Sequence, residues 1–275
     1  MSTAAESLFA TLFPSDCRLC GAPLVKISRL PVCEECLLHI RPLDGSVCAI
    51  CGERLGNYRL VNDHNQPCCP ACYRDEPAFA KAAAYGSYAG GLRDLIHLLK
   101  YDNVRPAANV LGRMLAEVID ALAGSFGDTQ PVVVPVPLHA SKFRQRGFNQ
   151  SELVARIALK LNPRGLVLHS NALERCRATT SQIGLTRQQR QRNIRGAFIV
   201  AHPAEIRGRD VLLVDDVLTT GTTASECARV LRRGGANRVF VATVARTLRN
   251  EVAGVEIPRE PESEESARLS RAAHV

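Results

Sequence analysis

Tryptophan is absent from the sequence, methionine occurs twice, and aromatic residues make up only 5% of its 275 positions. A domain so poor in aromatics lacks the interleaved ring platforms on which single-stranded nucleic acids usually stack. Long apolar runs are also missing. The longest, residues 132–138, contains two prolines and falls far short of the roughly 20 residues that a membrane span needs, so no membrane insertion is expected. Glu6 precedes the apolar residues 8–13 with no Lys or Arg before them, which argues against a secretory leader with a cationic start. Two nucleotide motifs are missing as well: there is no Gly-x-x-x-x-Gly-Lys-[Ser/Thr], and no Gly-x-Gly-x-x-Gly after a strand. With 46% hydrophobic and 23% charged residues, a globular cytoplasmic protein of bacterial type is the default expectation.

Cysteine, by contrast, is plentiful and localised: nine of the eleven lie before residue 73. Eight of these nine form Cys-x-x-Cys pairs, Cys17/Cys20, Cys33/Cys36, Cys48/Cys51 and Cys69/Cys72, a spacing that points to metal rather than disulfides. Gly21 and Gly52 follow two of the pairs, where a turn presents backbone N–H groups to thiolates. Taken in order, the pairs make two tetrahedral zinc sites, with no open position for catalysis. Crossed pairing satisfies the same chemistry, and Cys68 or His64 could replace a ligand in the last pair. A thiol redox device is the competing reading. A segment this poor in large apolars would owe its fold to the metal.

Charge divides the chain. Residues 1–80 hold 7 Lys and Arg against 9 Asp and Glu, residues 81–250 hold 25 against 12, and residues 251–275 hold 3 against 6, giving −2, +13 and −3. Two zinc-tetrathiolate sites would each add −2 to the first segment, so any field that attracts polyanions belongs to the middle one. These boundaries also mark the expected organisation: a double zinc ribbon in 1–80, an α/β domain in 81–250, and a charged, disordered tail in 251–275.

Within the middle segment, Leu92, Leu95, Ile96 and Leu99 predict one helix and Pro106 opens a second. Residues 132–136 predict a buried strand, followed by a basic loop over 142–147 and a helix from the capping box at Asn149 to Leu161. A strand near 166–168, an Arg-rich stretch over 175–195 and a strand-loop-helix-strand unit over 211–245 complete an α/β domain.

The most informative stretch runs from Val211 to Thr223. Four apolar residues form an interior strand, so Asp215 and Asp216 emerge at its carboxyl end, where open α/β sheets bind ligands. Thr219, Thr220, Gly221, Thr222 and Thr223 then precede a helix beginning near Ala224, a cradle for a phosphate built from N–H groups and hydroxyls. A sugar diol beside a phosphate fits this arrangement.

The stretch resembles the signature of the type I phosphoribosyltransferases: four apolar residues, two acids and a Thr/Gly loop. The Val134-Pro-Val-Pro137 segment with Arg144-Gln-Arg146-Gly-Phe-Asn-Gln150, the segment from Arg175 and Arg177 through Gln182 to Arg190, and the cysteine pairs extend the match. They make the chain similar to the competence protein F (ComF, or GntX-like) family over about residues 10–248. The resemblance implies a type I phosphoribosyltransferase fold, a Rossmann-like parallel sheet flanked by helices, with a small double zinc ribbon. By that resemblance Asp215 and Asp216 hold the ribose hydroxyls of 5-phosphoribosyl 1-pyrophosphate (PRPP) and the Thr/Gly loop holds its 5′-phosphate. Arg144 and Arg146 lie in the pyrophosphate loop, and Arg175, Arg177, Gln182 and Arg190 in a mobile loop. Lys100 also fits a family motif, though a lysine at a helix C-terminus serves the helix dipole equally well. Mg²⁺ would accompany PRPP. The six arginines and no acid over 175–195 suit a polyanion, and equally a solvated loop. The family's link to natural competence implies single-stranded DNA and competence proteins as partners, so a DNA-binding scaffold is the alternative to a phosphoribosyl transfer enzyme with an unidentified nitrogenous acceptor. Cys176 and Cys227 are expected to have no chemical role.

Overall fold

A computed structural model of the protein describes residues 15–24, 28–56, 60–179 and 187–248. Two one-turn helices, α1 (Glu34–Leu38) and α2 (Pro70–Arg74), belong to the cysteine-rich segment. Then follow β1 (Lys81–Ser87), α3 (Gly90–Lys100), α4 (Ala107–Phe126), β2 (Val132–Pro135), α5 (Ala140–Arg146) and α6 (Gln150–Leu161). A small hairpin, β3 (Leu173–Arg175) and β4 (Phe198–Val200), carries α7 (Arg187–Ile194) between its strands, and β5 (Val211–Leu218), α8 (Thr222–Arg233) and β6 (Val239–Arg246) close the fold.

The main sheet has the order β1-β6-β5-β2, with every neighbouring pair parallel, so all four carboxyl ends lie along one edge. β2, β5 and β6 are buried on both faces and read as apolar runs for that reason, whereas the edge strand β1 is half-buried. Alternation divides their side chains: Leu212, Val214, Phe240 and Ala242 join one core with α3, α4 and α6, while Val211, Leu213, Val239 and Val241 join the other with α8. The cysteine-rich segment divides in the same way. Cys17, Leu30, Val32 and Ile40 pack into the first core, and Cys48, Cys51, Cys69 and Cys72 into the second. The two cysteine groups therefore sit on opposite faces of one sheet.

Local chemistry corrects several expectations. The stretch 142–147 is not a loop: His139 caps α5 by accepting from the Ser141 N–H, and Gly147, left-handed at φ +78, ends it. Residues 166–168 form no strand, since only Leu168 bridges to Val133 and the chain turns away. Asn149 caps α6 through the Ser151 N–H as expected, but Glu152 gives its carboxylate to Arg156 and Ser170. Only half of the capping box is formed. The helix after the Thr/Gly loop starts at Thr222, two residues before Ala224. The expected tail, 251–275, lies outside the described residues.

Candidate functional site

β5 runs on to Leu218, so the acid pair sits within the strand, one turn of the pleat before its end. Adjacent strand residues face differently, and the two carboxylates accordingly have different partners. Asp216, only 5% exposed, forms an ion pair with the Lys100 ammonium from the C-terminus of α3. Burial opposes the charge on Lys100, yet the carboxylates of Asp216 and Asp215 outweigh it and hold the ammonium's pKa above its ordinary value. Asp215 Oδ1 accepts from Ser151 Oγ at 2.9 Å and from the Asp216 N–H at 2.9 Å. Burial, reinforced by the neighbouring Asp216 charge, pushes the Asp215 carboxyl up to about 7. One carboxylate is thus locked in a salt bridge and the other is poised to titrate near neutrality.

Beyond β5 the chain turns through residues 219–221. Gly221 adopts φ +76, a conformation that strains any side chain, and its position as N-cap leaves α8 without a side-chain cap. The first N–H groups of α8 consequently have no side-chain acceptor from this residue. Thr220 and Thr222 bring their hydroxyls within 2.8 Å of each other at this terminus. Such an end attracts an anion through both its N–H groups and the helix dipole.

Arginines surround the edge at different depths. Arg146, at the end of α5, stacks over the Tyr101 ring at 5.7 Å and donates to Gln150, which brings it beside Lys100. Arg144, on the same helix, is exposed. Arg175 packs over Phe198 at 5.5 Å and donates to Thr179, and burial lowers the pKa of its guanidinium. Arg177 binds the carbonyls of Asn193 and Arg195 at 2.8 and 2.9 Å, closing the Arg-rich arm on itself. Arg190 lies on α7, and Gln182 falls outside the described residues. Of the residues expected from sequence, Lys100, Asp215, Asp216 and the loop 219–223 are brought to one edge, with Arg146 next to them. Arg177 is committed to the arm.

The eight cysteines form two groups of four, Cys17, Cys20, Cys33, Cys36 and Cys48, Cys51, Cys69, Cys72, with the sulfurs of each within 4.8 Å of one another. The sequential pairing is the one adopted, and neither Cys68 nor His64 joins a group. A tetrahedron with Zn–S bonds of about 2.3 Å has S···S edges of about 3.8 Å. Cys17–Cys36, Cys20–Cys33 and Cys51–Cys69 stand at 3.9, 3.8 and 3.7 Å. The residues therefore fit the metal that their chemistry implies. Gly21 and Gly52 turn the knuckles with φ +74 and +70, though their own N–H groups go to the carbonyls of Cys17 and Cys48. Among the backbone N–H groups that approach sulfur, that of Cys33 lies 3.3 Å from Cys17 Sγ and that of Cys36 3.4 Å from Cys33 Sγ.

Three residues escaped the sequence reading. Ser151 was legible only as part of a helix cap. Arg246, 4% exposed at the end of β6, donates to the Cys51 carbonyl, to Glu53 at 2.7 Å and to Cys51 Sγ at 3.5 Å. Glu226 on α8 accepts the Gly196 N–H at 2.9 Å and holds the base of the arm against the helix that follows the Thr/Gly loop. No local pattern announces either contact. Cys227 is fully buried, and that burial raises its thiol well above the ordinary range, as an inert core position requires.

Residues 100–259 match the phosphoribosyl transferase domain family. The chain is 34% identical over 240 residues to the DNA utilization protein YhgH of Escherichia coli (strain K12), an alignment covering 86% of this chain and 98% of that one. It is 31% identical to competence protein F of Haemophilus influenzae, covering 80% and 92% of the two chains, and 22% identical to competence protein ComFC of Bacillus subtilis, covering 78% and 84%. No helix among the described residues is long and apolar enough to cross a membrane.

Proposed function

Since the chain belongs to the phosphoribosyl transferase domain family, together with the competence F and DNA utilization proteins, we propose that it binds PRPP and transfers its phosphoribosyl group to a nitrogenous acceptor. The observation that carries this reading is the uncapped start of α8 directly after an acidic pair of which one member is locked and one is poised. Asp215 and Asp216 accept hydrogen bonds from the ribose hydroxyls, and Thr219, Thr220, Gly221, Thr222 and Thr223 hold the 5′-phosphate. Lys100 holds Asp216 in its ion pair. Arg144, Arg146, Arg175, Arg190 and Gln182 are the groups proposed to grip the diphosphate, with Arg177 fastening the Arg-rich arm; the diphosphate's departure breaks the C1–O bond as the C1–N bond forms and the acceptor loses its proton. A dry site protects the cationic sugar from water.

Mg²⁺ prefers hard oxygens, and since Asp215 Oδ1 is engaged by Ser151 and a backbone N–H and Asp216 Oδ2 by Lys100, we place the ion on the diphosphate itself. Bound there it would neutralise the leaving group. Two structural zinc ions fill the cysteine groups, and thiolate ligands suit the reducing cytoplasm. Titration calorimetry of zinc-loaded protein with PRPP and Mg²⁺ tests the assignment. Heat is expected for the wild type and none for Asp215→Asn/Asp216→Asn; an unchanged affinity in the variant removes the acid pair from the site. Pyrophosphate release that Asp216→Asn fails to lower would refute transfer.

A second reading, single-stranded DNA binding in DNA uptake alongside competence proteins, draws on one further observation. Two aromatics are exposed near arginines: Tyr101, 69% exposed, lies under the Arg146 guanidinium, and Phe143, 48% exposed, precedes Arg144 on α5. Rings interleaved with guanidiniums form a stacking surface on a basic domain. Oligonucleotide anisotropy should then show an affinity that falls steeply with salt and drops in Tyr101→Ala.

A further inference from the structure

A cavity of about 330 Å³ opens between the second cysteine group, the linker over 75–79 and the start of α8. Thr220, Gly221 and Thr222 form part of its wall, whereas Asp215, Asp216 and Lys100 take no part in it. If the Thr/Gly loop holds a 5′-phosphate and the acid pair holds the ribose, the cavity lies on the far side of that phosphate from the sugar. A free sugar phosphate would leave it empty.

Its lining is mixed. Phe79 and Leu218 supply apolar wall, each 3% exposed or less, and Arg195 and Arg233 stand exposed at the rim. The inner guanidiniums are largely neutralised, Arg229 by Glu226 at 2.6 Å and Arg246 by Glu53 at 2.7 Å. One donor is left over: the Nε of Arg246 is buried and has no hydrogen-bond partner among the described residues. A volume at the lower end of the small-ligand range, apolar walls and isolated donors match a single heteroaromatic group better than a second highly charged anion. The neutralised arginines give little excess charge for the latter.

We infer that this cavity receives a nucleoside joined through the 5′-phosphate of the sugar held by the loop, so that besides PRPP the loop takes a 5′-esterified ribose phosphate. The inference rests on reading residues 219–223 as a phosphate loop. In the free protein Arg246 Nε waits for an oxygen of the esterified phosphate or of the base. The shared chemistry has two sources, a small dinucleotide and a nucleic-acid strand.

The test is calorimetric titration of the full, zinc-loaded chain with ribose 5-phosphate, PRPP, ADP-ribose and the dinucleotide uridylyl-uridine, in the wild type and in Arg195→Glu/Arg233→Glu, two exposed positions at the rim. An esterified ligand should bind at least about tenfold more tightly than ribose 5-phosphate. The double variant should abolish that ratio and keep ribose 5-phosphate affinity within about twofold. A gain confined to ADP-ribose identifies a small dinucleotide, and a gain with uridylyl-uridine a nucleic-acid strand. Equal or weaker binding of both esterified ligands, or a gain that survives in the variant, overturns the inference while leaving the phosphate loop intact. Absence of heat from ribose 5-phosphate, PRPP and both esterified ligands overturns the loop assignment and this inference with it.

Discussion

The two cysteine groups share a spacing and differ in everything around it. The first packs against one face of the sheet through Cys17, with Cys20 exposed to solvent, and its N–H···S bonds come from its own chain segment. The second is buried at all four positions, and a guanidinium from the end of β6, 195 residues away, reaches its Cys51. β6 pairs Arg246 with Leu218, the last residue of β5 before the Thr/Gly loop. One motif has therefore been used twice, once as a clamp at the periphery and once as part of the wall of the candidate site. The motif by itself does not tell the two apart; the long-range partner does.

Breaking the second group should have the largest effect. Cys69→Ser leaves three thiolates in a buried site and removes the support for α2 and the linker that packs on α8. We expect zinc content to fall to one ion per chain, the melting transition to lose cooperativity, and PRPP heat to vanish, as read by metal analysis, calorimetry and titration. Retained PRPP affinity would separate this group from the site. Next in size is Arg246→Met. Arg246 and Glu53 are 4% and 6% exposed as side chains, and deleting one partner strands the other in the core at a cost of about 3–5 kcal/mol. Denaturant unfolding checks it, and the paired change Arg246→Met/Glu53→Leu should recover much of the loss. If the single variant costs no more than a surface substitution, the link between the second group and β5 carries no energy.

The asymmetry bears on what could be read before the structure. The cysteine spacing, the apolar run of β5, the acid pair and the Thr/Gly loop are local patterns, and the fold places them together because a parallel sheet sends every carboxyl end to one edge. Arg246 reads as one basic residue at the end of an apolar run, since its partners Cys51 and Glu53 are close only after the second group docks. Ser151 and Glu226 are hidden for the same reason: one is a helix-cap residue whose hydroxyl happens to meet Asp215, the other a helix glutamate whose acceptor role depends on where Gly196 comes to rest. The 142–147 segment reads as a loop because it is basic and carries no apolar period, so only the caps at His139 and Gly147 reveal a helix.

Between the two faces lies the acid pair, and pH sharpens the contrast. Asp216 is held by Lys100 from the face of the first group, while Asp215 titrates near 7. As pH falls through about 7, Asp215 takes up a proton and loses the acceptor that a ribose hydroxyl needs, so PRPP affinity should drop by up to about tenfold from pH 8 to pH 6. Asp215→Asn should flatten that profile. Stability moves the other way. The folded pKa is raised above the unfolded value of 3.8, the folded state binds more protons between them, and the melting temperature should decline as pH rises from about 4 to about 7. A wild-type profile that parallels Asp215→Asn in both measurements would show that Asp215 is ionised throughout.

The smallest effect is expected at the first group. Cys20 is exposed, its neighbours Cys33 and Cys36 are half-buried, and the core beneath them is already closed by Leu92, Leu95 and Ile96 from α3. Cys20→Ser should release one zinc ion to a chelator at concentrations that leave the second ion bound. The melting temperature should fall by only a few degrees, corresponding to about 1 kcal/mol. PRPP affinity should stay within about twofold, because no described contact runs from this group to β5 or the Thr/Gly loop. The peripheral role fails if Cys20→Ser weakens PRPP as strongly as Cys69→Ser does, for the sheet would then transmit the loss from one face to the other and both groups would count as walls of the site.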